Sequence, residues 1–139
     1  MSDGAPSAAC VRQASISLYV LGAYHLLTGA AMLAQLAGLP KGWYFWSGGI
    51  GVSVLWGGFL IWCGRNLLLR NVLSELLAIF AMLSLPAVVV GAFFIPRMVS
   101  TFYTVSVCGG GSLQVLAFIL VLRVWLGRRR QGQSGQGPV

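Results

Sequence analysis

The sequence predicts an all-α membrane protein: a compact up-down bundle of four transmembrane helices with both termini in the cytoplasm. Three observations lead there. Of the 139 residues 58% are hydrophobic and only 8% charged, against roughly 25% charged in an average soluble domain. The few charges leave long uncharged intervals between them. Most of the basic residues fall on one side of the membrane that those intervals define.

The intervals hold 28 residues between Arg12 and Lys41, 23 between Lys41 and Arg65, 21 between Glu75 and Arg97, and 25 between Arg97 and Arg123. A hydrocarbon core of about 30 Å needs about 20 helical residues at 1.5 Å rise, so each interval can cross it. Strands are the poorer reading, because a membrane β-strand needs only about 10 residues and alternates strictly. Spans are expected near 14–37, 45–63, 72–95 and 101–126. Together they form one domain, preceded by a short cytoplasmic tail (1–13) and followed by a basic, then Gly/Gln-rich, disordered tail (127–139). The first span exceeds a 7–15-residue signal-peptide core and lacks a small-x-small exit, so it is read as retained. Short connections make successive helices antiparallel neighbours.

Orientation follows from Lys and Arg, which are held on the cytoplasmic side. Arg12, Arg65, Arg70, Arg123, Arg128, Arg129 and Arg130 lie on one side, and only Lys41 and Arg97 on the other. Interfacial aromatics agree, with Trp43, Tyr44, Trp46, Phe102 and Tyr103 at the outer ends and Trp62 and Trp125 at the cytoplasmic ends. The formal charge of +7 does not indicate a nucleic-acid partner, because the cations sit at helix ends and not on a soluble face. The run Arg128–Arg129–Arg130 has two readings: contact with anionic lipid, and a stop signal that holds the last helix in place.

Lipid removes the hydrophobic drive between helices, so small residues that admit close backbone approach become the packing candidates. Gly49, Ser53 and Gly57 form such a row on the second span, Ala30, Ala34 and Gly38 on the first, and Gly110 with Ser106 on the fourth. They serve either the inside of the bundle or a face between copies. Pro86 is expected to kink the third span, since it cannot donate to the carbonyl of Met82. Gly109–Gly110–Gly111 is either a locally unwound segment lining a path or a place of close helix approach.

Polar groups inside the spans are where function is sought. These are His25, Thr28 and Gln114, with His25 open to a relay or ligand role and equally to a structural one. Glu75, in the first turn of the third span, suits a helix N-terminus and a partner in Arg65 or Arg70. Cys10 and Cys63 are juxtamembrane candidates for S-acylation, or plain small apolar residues. No carboxylate pair or convergent metal-ligand set is expected, which argues against catalysis and against a cofactor.

Leu21-Gly22-Ala23-Tyr24-His25-Leu26-Leu27-Thr28-Gly29, then Tyr44-Phe45-Trp46-Ser47-Gly48-Gly49 with Trp56-Gly57-Gly58, then Asn71-Val72-Leu73-Ser74, resemble spans one to three of the membrane-spanning four-domains family, the group that includes the B-lymphocyte antigen. The resemblance implies four spans, cytoplasmic termini and association within the membrane. The family usually has longer cytoplasmic tails and a longer second outer loop, whereas the segment 96–100 is minimal here.

The leading expectation is therefore a non-enzymatic multi-pass tetraspan that oligomerises, or associates with another integral membrane protein such as a receptor or channel, and modulates signalling or trafficking. A small oligomeric ion channel or transporter is the first alternative. A minor or assembly subunit of a membrane complex is the second. Its location would be a plasma or internal membrane in a eukaryote, or the inner membrane of a bacterium.

Overall fold

Ser7 starts the first helix. The amide of Cys10 donates to its hydroxyl at 3.2 Å and to its carbonyl at 2.8 Å, which satisfies one of the four orphan donors of a helix N-terminus. The computed structural model describes residues 7–36, 43–69, 72–83 and 101–134. Over these it contains four α-helices and no other regular element: α1 (Ala8–Leu36), α2 (Trp43–Leu68), α3 (Val72–Leu83) and α4 (Thr101–Ser134).

Three of the four helices are long and apolar enough to cross a membrane, through Ala8–Ala31, Ile50–Leu68 and Cys108–Arg130. Helix α3 is apolar but has 12 residues, about 18 Å at 1.5 Å per residue. The rest of the expected third span, with Pro86, lies outside the described residues.

The helices overrun the expected spans wherever those were cut at a charge. Helix α1 begins at Ala8 and not near 14, α2 continues to Leu68 past Arg65, and α4 continues to Ser134 instead of giving way to a disordered tail after 126. A charged side chain ends the apolar interval without ending the helix, because Arg is among the better helix formers. What stops α2 is local: the amide of Leu69 closes a tight turn on the carbonyl of Asn66 at 3.1 Å.

Helix α1 packs against α2 and α4, and α3 packs against the same two. Among the described residues the backbones of α1 and α3 do not come close, nor do those of α2 and α4. The core between them is built from Leu18, Leu21, Leu60, Leu67, Val121 and Val124, all essentially inaccessible. Facing away are Leu27, Leu55 and Phe80, 71%, 76% and 74% exposed. In water such an apolar exterior would be a liability; it suits a lipid surround, where leucine and lipid tails are alike.

Candidate functional site

The closest helix contact is the antiparallel seam of α1 and α2. Ser15, Gly22 and Gly29 recur every seven residues on α1, as do Gly57 and Gly64 on α2, the spacing that keeps one face of a helix against its neighbour. A Cβ placed on Gly22 would stand 2.8 Å from the Gly57 carbonyl oxygen, and one on Gly57 would stand 2.7 Å from that of Gly22. At Gly64 it would meet Leu18 Cβ and the Ser15 carbonyl oxygen at 3.2 Å, and at Gly29 it would meet Ser53 Cβ at 3.3 Å. Only glycine admits such an approach at Gly22 and Gly57. The hydroxyl of Ser15, buried in the seam, donates to the Gly64 carbonyl at 2.8 Å.

Ser53 and Gly57 stand in the seam, and their partners there differ from the residues the sequence offered. Ala30 and Ala34 are exposed, and the seam on α1 is built by Gly22 and Gly29 instead. Gly38 and the surroundings of Gly49 lie outside the described residues. A four-residue spacing does not pick out Gly22, Gly29 and Gly64; their seven-residue spacing is the signal that does.

Helix α4 meets α1 through the aromatic ring of Tyr24. Cβ atoms on Gly109 and Gly110 would lie 3.1 Å from Tyr24 Oη and 2.9 Å from its Cε1, so the two glycines form a notch for the ring. Gly111 faces open space. The run is helical in α4, which places it with close approach and not with unwinding.

One turn further along α4, Gln114 is 1% exposed and its carboxamide neighbours the imidazole of His25. His25 Nε2 and both amide atoms of Gln114 are buried between the two helices. The His25 ring meets Tyr24 edge-on, with centroids 6.0 Å apart. Thr28 does not join this group, because its hydroxyl donates back to the carbonyl of Tyr24 at 2.9 Å, a bond that occupies it within its own helix.

At the basic end, Glu75 and Arg128 form an ion pair between α3 and α4. Arg128 also donates through Nη2 to the Leu67 carbonyl of α2 at 3.3 Å, so one guanidinium ties three helices. Glu75 is 1% exposed and sits in the first turn of α3, where the helix dipole adds to its stabilisation. This corrects two expectations. Among the described residues the partner of Glu75 is Arg128 and not Arg65, Arg70 lying outside them, and Arg128 turns inward and not toward lipid headgroups. Arg129 and Arg130 remain exposed, and the Arg129 guanidinium lies over the Trp125 ring, 5.2 Å from its centroid.

The thiols separate by burial. Cys63 is fully buried in the core, which withholds it from an acyl donor, while Cys10 is partly exposed and Cys108 exposed. Among the described residues no group of three or more His, Cys, Asp or Glu side chains converges on a metal-sized point. Set against known family models, curated proteins and solved structures, the chain matches none.

Proposed function

We propose that this chain is a non-enzymatic, multi-pass membrane protein of four spans, both ends cytoplasmic, that works by lateral association with its own copies or with another integral membrane protein. The modulation of that partner's trafficking or signalling is its output. The layout is supported by the seven-to-two division of basic residues and by helix contacts that link α1 to α2, α2 to α3, α3 to α4 and α4 back to α1. Likeness in sequence to spans one to three of the membrane-spanning four-domains family points the same way.

One observation carries the association. Two outward rows set an exposed leucine between small residues: Ala23, Leu27 and Ala30 on α1, and Gly51, Leu55 and Gly58 on α2. A Cβ on Gly51 or Gly58 would meet nothing within 4 Å, so these glycines are not consumed by internal packing as Gly22, Gly57 and Gly64 are. Each row alternates a knob with notches. Helices in lipid associate through such surfaces, by dispersion and backbone proximity.

Affinity isolation of the full chain in a mild detergent tests this reading. Co-isolation of a differently tagged second copy, or of a stoichiometric membrane partner, is expected, with loss of either on Gly58→Leu. Isolation as a lone monomer contradicts it.

A further inference from the structure

The α1–α2 seam has an outer side that the core does not use. Ser15 and Gly22 face α2 and are each followed by an exposed residue, Ile16 and Ala23; Gly57 and Gly64 face α1 and are followed by the exposed Gly58 and Arg65. One step along a helix turns the side chain by about 100°, and in an antiparallel pair that step turns both helices to the same side. Burial agrees, because Leu18 and Leu60, three residues after Ser15 and Gly57, enter the core on the opposite side.

Helix register places two charges on that outer side. The hydrogen bond of Ser15 to Gly64 sets those residues opposite each other, and the Gly22–Gly57 contact keeps the same register. Arg12 then stands opposite Leu67 and Arg65 opposite Ala14, two residues or about 3 Å apart in depth. Arg12, four residues before Ile16 and so on its face, is exposed, as is Arg65. Toward the middle of the two helices lie the exposed side chains of Ile16 and Trp62.

Neither charge is compensated by the protein. The sequence has two acids: Asp3 lies outside the described residues, and Glu75 is buried and paired with Arg128. Among the described residues Arg12 and Arg65 have no ion-pair partner. Like charges this close repel unless an anion lies between them. Guanidinium groups match the geometry of a phosphate, and the apolar side chains beside them match acyl chains and not a soluble anion.

We infer that Arg12 and Arg65 together hold the phosphate of an anionic phospholipid at the basic end of the α1–α2 outer face, with its acyl chains along Ile16 and Trp62. Lipid contact thereby moves from Arg128, which Glu75 occupies, to a site that two helices build. The inference rests on the chain lying in a membrane, for which three helices are long and apolar enough, and not on lateral association.

With the full chain in a neutral detergent, native mass spectrometry counts bound lipid per chain, whatever the number of copies, so a failure of association leaves this readout as it is. Phosphatidylglycerol is expected to bind about 25-fold more tightly than phosphatidylcholine with the same acyl chains, from about fivefold per arginine at an anionic lipid surface. Arg12→Gln and Arg65→Gln should each lower that preference about fivefold, and together they should remove it. Arg123→Gln should leave it unchanged, because Arg123 is equally exposed but belongs to α4, whose backbone does not come close to α2. Equal binding of the two lipids by the wild type overturns the inference, as does a preference that survives the double substitution or falls as far in Arg123→Gln. Displacement of the lipid by millimolar inorganic phosphate also overturns it, by assigning the arginines to a soluble anion. Should the double variant fail to fold, the single variants and the wild-type comparison decide.

Discussion

Gly22 and Gly57 are each other's limit of approach: a methyl on either would enter the space of the other's carbonyl oxygen, at 2.8 and 2.7 Å. Gly58, the next residue, would place its methyl in open space. Overpacking of a close contact costs about 1–3 kcal/mol. Gly22→Ala and Gly57→Ala are therefore expected to lower unfolding free energy by about that amount in bicelles, whereas Gly58→Ala should leave it unchanged or slightly higher. Equal losses at Gly57 and Gly58 would remove the seam.

The Glu75–Arg128 pair makes a second prediction. Arg128→Ala leaves a carboxylate that is 1% exposed without its counter-ion, and removal of one member of a buried pair costs on the order of 3–5 kcal/mol. Arg65→Ala, at an exposed position, should stay within about 0.5 kcal/mol. Thermal unfolding of the two variants in the same detergent separates them. A recovery of stability in Glu75→Gln combined with Arg128→Met would show that the loss came from the stranded charge.

These two relationships mark what was legible in the sequence. The helices were legible as charge-free intervals, since lipid tolerates few charges and the chain places them at span ends. Their ends were not. Ser7 caps α1 and the Leu69–Asn66 turn closes α2, and neither signal lies in hydropathy. Ser53 and Gly57 were legible as packing residues because their size alone qualifies them. That Gly22, and not Ala30, faces Gly57 depends on the rotation of α1, which small-residue spacing leaves open between periods of four and seven. The partner of Glu75 was out of reach for a different reason. Arg65 and Arg70 are near in sequence, whereas Arg128 becomes its neighbour only once α4 returns beside α3.

Ser15 supplies a smaller test. Its hydroxyl joins the seam to the Gly64 carbonyl at 2.8 Å, and interhelical hydrogen bonds of this kind in membranes are worth about 0.6 kcal/mol on average. Ser15→Ala should cost about that much in denaturant unfolding. A loss several times larger would mean that the hydroxyl holds more than this one bond.

Thiol reactivity checks the placement of the three cysteines. In the folded chain Cys10 and Cys108 should react with a maleimide well before Cys63, which is fully buried, and denaturation should bring all three to a common rate. Acyl labelling, where the host supplies the enzyme, should follow Cys10 and disappear in Cys10→Ser. Rapid modification of Cys63 in the folded protein would contradict the core as described.

Lateral association is most directly measured by energy transfer between donor- and acceptor-labelled copies in bilayers, read as the lipid-to-protein ratio is raised. Transfer between wild-type copies should persist to dilutions at which chance proximity is negligible. The double substitution Gly51→Leu with Gly58→Leu should abolish it without loss of helix content, because neither position meets any of the described residues within the single chain. A partner-dependent protein would show transfer only to that partner, with the same sensitivity to the two glycines. Persistence of all transfer after both glycines are filled, or monomers throughout in the presence of every co-isolated membrane protein, would contradict association through these rows.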